Sequence, residues 1–255
     1  MWRRLRIAVL LLVLASVAFS AWHAKANATA WKGTLRVAVY PLAADDSAAT
    51  RRYLQRLGED SFQPISDYLN SEAARHGVTT QRPVDITLGG EIRQLPPPRP
   101  QGGSVLDSIL WSLQLRYWAW QHSPPTSPKP QVRLYLIYHD PALTPRVPHS
   151  SGLEKGMLGV VHLFADPRQT AQNHVVAAHE LLHTLGASDK YDMATGLPLH
   201  PDGYAAPFQE PRYPQSEAEL MAGRLPLGPD RARIPDSLDE TLVGPASARE
   251  IGWRR

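Results

Sequence analysis

The sequence contains no cysteine among its 255 residues. This absence excludes disulfide scaffolds, thiolate metal sites and cysteine nucleophiles. A large charge excess is also missing, because 27 Lys and Arg oppose 24 Asp and Glu, and four of the basic residues precede residue 27. No basic run with interleaved aromatic residues follows, so we expect no nucleic-acid partner.

What the sequence does contain is typical of a globular protein. Hydrophobic residues make up 43% of the chain, which is enough to bury a core and excludes wholesale disorder. A chain of this length predicts a single domain of ordinary size, or at most two small ones. Most of the 24 prolines lie between residues 95 and 148 and between 197 and 245, and they predict loops there.

Residues 1–26 have the features of an export signal. A basic start, MWRRLR, precedes an uncharged apolar stretch at residues 7–22, and Ala24-Lys25-Ala26 fits the small-x-small arrangement that signal peptidases accept. We predict a signal peptide. The alternative is a retained membrane anchor, because the stretch falls just short of the roughly 17 to 25 apolar residues that span a bilayer. Both predictions place residues 27–255 outside the cytoplasm, either secreted, periplasmic or anchored through residues 7–22.

Strand and helix patterns alternate along the body of the chain. Alternating apolar residues predict a half-buried strand at 34–41, with Leu35, Val37 and Val39 on one side. Further strands are predicted at 84–88, 131–139 and 156–165, and helices at 60–76, 104–121, 170–185 and 245–251. This order predicts an α/β (α+β) fold: a mixed twisted sheet with packed helices and a loop-rich C-terminal part.

The helix at 104–121 is predicted to be the largest core helix. Its apolar residues recur at helical spacing and are predicted to face inward: Leu106, Ile109, Leu110, Leu113 and Tyr117. Trp111, Trp118 and Trp120 add aromatic bulk. Core packing is favoured for them over the alternative of a ligand groove.

The segment HELLHTLGASDKYD, residues 179–192, contains the candidate chemistry. His179 and His183 are four residues apart on a predicted helix, so their imidazoles project from one face and can bind one metal ion. Glu180 lies at the edge of that face. There it can reach a metal-bound water without being a ligand, which is the general-base position of zinc hydrolases.

Gly186 is predicted to end this helix in the left-handed conformation, which turns the chain back toward the metal. Asp189 is then placed to be the third protein ligand. Two imidazoles, one carboxylate and a water form the open site of catalytic zinc. The alternative for Asp189 is a plain turn residue, and Asp192 is then the rival ligand.

The pattern HELLHTLGASD resembles the active-site consensus of metzincin metallopeptidases, in the variant with aspartate as the third ligand, and is similar to the snapalysin type. The segment ELMAG, residues 219–223, is similar to the methionine turn of that clan, which assigns Met221 to the position beneath the zinc. Ordinary core packing is the alternative for Met221. The resemblance covers residues 156–223.

This resemblance implies a metzincin-like sheet in a single metallopeptidase domain, residues 27–255. The domain would consist of an upper part, residues 27–186, and a lower part with the methionine turn, residues 187–255. Two departures from the snapalysin type stand out. Residues 192–216 form a proline-rich insertion without cysteine, so substrate specificity does not carry over, and the chain lacks room for the usual propeptide.

The activity implied by the resemblance is that of a zinc-dependent endopeptidase, a monomer acting on protein or peptide substrates. The substrate would lie along an edge strand at 156–164. Zinc would polarise the scissile carbonyl, and Glu180 would move the proton of the attacking water to the leaving amine. The alternatives are a non-proteolytic zinc-holding envelope protein, which would not need Glu180, and a metal hydrolase acting on a non-protein amide.

Other residues near the motif have weaker assignments. Tyr191 is interpreted as packed beside the site, with an oxyanion-stabilising hydroxyl as the alternative. A calcium ion at Asp192 and Asp202 is a less favoured alternative to a surface turn, because no EF-hand spacing is present. Three further histidines are interpreted as structural or supporting: His139, His162 and His174.

Overall fold

The fold is α+β, built on a five-stranded mixed sheet. The computed structural model describes residues 2–100, 104–153 and 156–254. In sheet order the strands are β2 (Val84–Leu88), β1 (Leu35–Ala43), β3 (Val132–His139), β5 (Leu158–Phe164) and β4 (Ser151–Leu153). β4 alone in this sheet is antiparallel to its neighbour. The predicted strands are confirmed, whereas β4 is too short to show a pattern.

The helices are α1 (Trp2–Ala28), α2 (Ala48–Leu54), α3 (Gln63–Arg75), α4 (Val105–His122), α5 (Thr170–Leu185) and α6 (Pro245–Glu250). α3 and α5 pack on one face of the sheet, and α4 packs on the other. Four of the helices match predicted helices, and α5 has the predicted bounds. The predicted helix at 60–76 is a short 3₁₀ turn, Glu59–Phe62, followed by α3, and α2 was not predicted.

The prediction that β1 is half-buried is wrong. Val37 and Val39 pack in the core beneath α3 and α5, while Ala38 and Tyr40 are equally buried in a second core beneath α4. The reason is the topology. A central parallel strand has helices on both faces, so both sets of its side chains are removed from water.

The prediction of which face of α4 packs against the sheet is also wrong. The side chains that contact the sheet are Trp111, Leu115 and Trp118. Leu113, from the predicted face, is 50% exposed, whereas Leu115 is fully buried. The other residues of the predicted face are exposed as well, as is Trp120: Leu106, Ile109, Leu110 and Tyr117. α4 carries two apolar faces with helical spacing, so periodicity cannot tell which one meets the sheet.

α1 coincides with the predicted export segment. Its described apolar side chains, such as Leu5, Leu12 and Phe19, are exposed. Several side chains of residues 7–22 lie outside the described residues. Within the part of the chain that the structure describes, no helix has both the length and the apolar character needed to cross a membrane. The core begins at the end of α1, with Ala28 and Trp31.

The chain after α5 forms the loop-rich lower part. Its strands are β6 (Ala218–Glu219), β7 (Leu225–Gly228), β8 (Arg231–Arg233) and β9 (Thr241–Leu242). Val243, Ile251 and Trp253 pack into the same core as β1. The indole nitrogen of Trp31 donates to the Ile251 carbonyl at 2.7 Å, so the C-terminal segment is tied to the start of the sheet domain.

Candidate metal centre

The candidate centre lies on α5, where His179 and His183 project from one face. Leu181, Leu182 and Leu185 bury the opposite side of the helix in the core. With the helix orientation set in this way, the Nε2 atoms of the two imidazoles lie 3.0 Å apart. The predicted pairing of these two residues is therefore present in the structure.

Gly186 brings Asp189 to the two imidazoles. The glycine ends α5 with φ at 106° and ψ at 10°, a left-handed conformation that strains any residue with a Cβ. The following turn places Asp189 Oδ1 at 3.2 Å from Nε2 of His179 and 3.1 Å from Nε2 of His183. The structure thus assembles the predicted third ligand with the other two.

The spacing of these three atoms fits a metal ion. Ligand atoms bound tetrahedrally at about 2.0–2.2 Å are separated by roughly 3.3 Å. A second grouping, His179, Glu180 and His183, has ligand atoms within 4.8 Å of one another. Asp189 is the better third ligand, because it lies closer to both imidazoles and Glu180 makes no ion pair with either.

Each imidazole is oriented by a backbone carbonyl. His179 Nδ1 lies 2.9 Å from the Leu220 oxygen, and His183 Nδ1 lies 2.8 Å from the Ala187 oxygen. A carbonyl only accepts, so each Nδ1 carries a proton and each Nε2 faces Asp189. Without a metal ion a protonated Nε2 donates to the Asp189 carboxylate, whereas the two deprotonated Nε2 atoms and the carboxylate would form the donor set for a cation.

Burial and mutual charge shift the pKa values of these groups. Burial opposes ionisation of Asp189, but hydrogen bonds from His179 and His183 outweigh it and lower its pKa well below the ordinary range. Burial raises the pKa of Glu180, and the neighbouring histidine charges only partly offset this effect. Glu180 is buried, and among the residues that the structure describes its Oε2 has no hydrogen-bond partner. A buried carboxyl group with a raised pKa and an open acceptor is suited to proton transfer.

Met221 lies fully buried in a 3₁₀ turn, Leu220–Ala222, that supports the centre from below. The Leu220 carbonyl holds His179, and the Met221 carbonyl accepts from the backbone N–H of Lys190 at 2.9 Å. Buried Glu219 fixes the turn by accepting from the Ala222 N–H. The turn therefore contacts both the helix and the loop that supply the candidate ligands.

Tyr191 lies beside the centre, whereas Asp192 does not. Burial first, and then the charges of Asp189 and Glu180, raise the pKa of Tyr191, and a hydrogen bond to Asp189 adds to the effect. Asp192 Oδ1 instead accepts from the backbone of Ala194 and Thr195, at 3.0 and 2.8 Å. The carboxylate closes its own turn, so the structure does not bring it to the histidines.

The remaining candidates stay apart from this centre. Nε2 of His139 and Nδ1 of His162 lie 2.8 Å apart as a hydrogen-bonded pair, and burial together with the His139 charge lowers the pKa of His162 to about 4. Asp202 is exposed. Within the described ranges, the only cluster of three or more metal-ligating side chains is the one at His179, so calcium gains no support.

The prediction that residues 156–164 form the edge strand is wrong. β5 pairs with β3 on one side and with β4 on the other, so Ser151–Leu153 is the edge strand. β4 packs directly on α5. A Cβ added to Gly152 would lie 2.5 Å from His183 Cβ and 3.0 Å from the Glu180 carbonyl oxygen. Glycine at this position lets the edge strand lie against the helix that carries the candidate ligands.

Sequence reasoning missed two arginines near the centre. Nη1 of Arg99, in the proline-rich loop before α4, donates to Ser151 Oγ on the edge strand at 3.0 Å. Arg224, two residues after the 3₁₀ turn that contains Met221, packs on Gly196. Both residues lie in loops, which have no periodic sequence pattern from which their positions could be predicted.

No protein-family model matches this sequence, and the search of curated proteins finds no significant match. The interpretation of the centre accordingly depends on its own geometry.

Proposed function

We propose that the protein is an exported zinc-dependent endopeptidase. The observation that carries the proposal is the convergence of His179, His183 and Asp189 on one point, beside a buried Glu180 carboxylate with an unpartnered oxygen. Two imidazoles and one carboxylate are the ligand set of catalytic zinc, which keeps a further coordination position open. Bound zinc supplies a Lewis acid that polarises a carbonyl and lowers the pKa of water toward about 7.

Glu180 is the proton carrier in this proposal. Its carboxylate takes the proton of the attacking water and passes it to the leaving amine of the cleaved peptide. Burial raises its pKa, which brings the group closer to the range in which it can both accept and release a proton. The open Oε2 acceptor is the position at which that proton is held.

The other residues orient the centre and the substrate. Leu220 and Ala187 hold the rings of His179 and His183 through their carbonyl oxygens. A peptide substrate would add to the sheet along β4, the edge strand that lies against α5. Its main chain would then run past Glu180.

The test uses the full-length purified protein, loaded with zinc and incubated with denatured casein and with peptidoglycan. We expect casein to be cleaved, the cleavage to stop with a chelator, and zinc to restore it. Native mass spectrometry should show one zinc ion per chain. Cleavage of peptidoglycan alone would support the non-protein amide alternative. Bound zinc without turnover of either substrate would support a zinc-holding envelope protein, and either result would overturn the proposal.

Export is proposed from residues 1–26 and their basic-then-apolar pattern. Fractionation of expressing cells, with N-terminal sequencing of the product, tests it. A mature N-terminus near residue 27 supports a cleaved signal, an intact N-terminus in the membrane fraction supports an anchor, and recovery of intact protein in the cytosol contradicts export.

A further inference from the structure

Arg99 places a positive charge at the edge strand. Its Nη1 donates to Ser151 Oγ on β4 at 3.0 Å, and the next residue, Gly152, lies against His183 and the Glu180 carbonyl oxygen. Arg99 is exposed. Among the described residues, no carboxylate forms an ion pair with it, so most of its hydrogen-bond donors point to solvent at the candidate substrate strand.

Arg224 places a second positive charge on the lower part of the molecule. It directly follows Gly223, which ends the methionine turn with φ at 66°. A Cβ added to Gly196 would lie 3.5 Å from Cζ of Arg224, so the guanidinium lies over that glycine. The Gly196 N–H in turn donates to the Asp192 carbonyl at 2.7 Å, so Arg224 lies over the loop that follows Asp189. Arg224 is exposed and, within the described ranges, makes no ion pair.

The two arginines contact different parts of the molecule. Arg99 contacts β4, which belongs to the upper part, and Arg224 contacts Gly196, which belongs to the lower part. An exposed guanidinium without an acidic partner retains a planar set of donors that matches a carboxylate in bidentate geometry.

We infer that this centre selects acidic substrates, with Arg99 and Arg224 binding carboxylates that flank the bond to be cut. The inference rests on the proposed peptidase function and names its substrate class. A carboxylate can come from an Asp or Glu side chain or from the C-terminus of a peptide. Side chains are the source expected here, because the two arginines lie on different parts of the molecule and a single terminal carboxylate would satisfy only one of them.

The experiment compares quenched fluorescent peptides that differ only at the residues flanking the cleaved bond. One series carries Glu, one Gln and one Lys at these positions, and each is made with a free and with an amidated C-terminus. The full-length, zinc-loaded protein should cleave the Glu peptide with kcat/KM roughly tenfold above the Gln peptide, since a charge-assisted hydrogen bond contributes about this factor. The Lys peptide should be the poorest substrate.

Variants assign the preference to its residues. In Arg99→Gln and Arg224→Gln the Glu-to-Gln ratio should fall several-fold, mainly through KM, because uniform binding is lost. Arg99→Lys should restore part of it by keeping the charge. Arg52→Gln is the matched control, an exposed arginine on α2. Binding of the Glu peptide to Glu180→Gln, measured by fluorescence polarisation, should weaken when Arg99→Gln is added.

The outcomes separate this inference from the function on which it rests. Absence of cleavage of every peptide and of casein overturns the proposed function. Cleavage of the Glu, Gln and Lys peptides at equal rates overturns the inference and leaves the peptidase intact. A preference that follows the free C-terminus and not the side chain assigns the carboxylate to a terminus, and it overturns the expected side-chain source.

Discussion

Gly152 of the edge strand and His183 of α5 lie in direct contact, with no room between them for even a methyl group. A Cβ on Gly152 would come within 2.5 Å of His183 Cβ. This contact joins the candidate substrate strand to a candidate metal ligand, so the two cannot move independently. It therefore makes the orientation of His183 depend on the packing of β4.

Gly152→Ala is expected to disturb both folding and metal binding. Forcing a methyl group into a packed contact costs about 1–3 kcal/mol, and the nearest atoms belong to His183 and the Glu180 backbone. The midpoint of thermal unfolding should fall, and the zinc affinity should weaken. Gly33→Ala is the control, since a Cβ there meets nothing within 4 Å. Equal behaviour of the two variants would contradict the contact.

Asp189 and Asp192 are expected to differ in their effect on metal binding. Asp189→Asn should lower the zinc affinity by at least about tenfold, because it weakens one of three ligands. Asp192→Asn should leave the affinity close to that of the parent protein, because this carboxylate closes its own turn. Competition with a chromophoric chelator measures both. If Asp192→Asn lost more affinity, the ligand assignment would be reversed.

Glu180→Gln is expected to separate binding from turnover. The amide keeps the size of the side chain but cannot take up the proton, so kcat should fall by about 10²–10⁴ while zinc stays bound. Metal content by native mass spectrometry and casein cleavage are measured on the same sample. A variant that cleaves casein at the parent rate would rule out Glu180 as the base.

Glu250 is expected to stabilise the Asp189 loop in a pH-dependent way. It accepts from the buried Lys190 ammonium at 2.7 Å and from the Ser188 N–H at 2.8 Å. Burial opposes its ionisation, but these bonds outweigh burial and lower its pKa below the ordinary value of 4.5. Because the folded pKa is depressed, the stabilisation is present above pH 4.5 and is lost as the pH falls through the folded value.

Glu250→Gln should therefore lower the free energy of unfolding at pH 7 by about 1–3 kcal/mol, toward the lower end because the Glu250 side chain is 34% exposed. The difference from the parent protein should shrink below pH 4. Urea unfolding at several pH values measures it. Glu91→Gln is the control, from an exposed ion pair with Arg93. A difference that does not change with pH would show that ionised Glu250 is not its source.

The orientation of α4 has its own test. Leu115→Ala should cost about 2–5 kcal/mol of unfolding free energy, because Leu115 is fully buried against the sheet. Leu113→Ala should change stability by no more than about 0.5 kcal/mol, as expected for a surface position. Chemical denaturation compares the two variants. A larger loss of stability in Leu113→Ala than in Leu115→Ala would support the inward face that was predicted from the sequence.

Much of the architecture could be predicted from local patterns. β2 and α5 have the predicted bounds, because turn residues, caps and apolar periodicity act over a few neighbouring residues. The prediction of β5 as the edge strand was wrong, because the pairing partner is a three-residue segment without a pattern of its own. The two apolar faces of α4 are equivalent in periodicity, and only the position of the sheet distinguishes them.

The sequence by itself determined the constellation of His179, Glu180, His183 and Asp189. These residues lie within eleven positions of one another, so helix periodicity and the left-handed turn at Gly186 suffice to gather them. Only the tertiary structure decided what surrounds them: the Leu220 carbonyl on His179, the edge strand on His183 and Arg99 on that edge strand. Such contacts join residues far apart in the chain, and they depend on how whole elements pack, which no local spacing encodes.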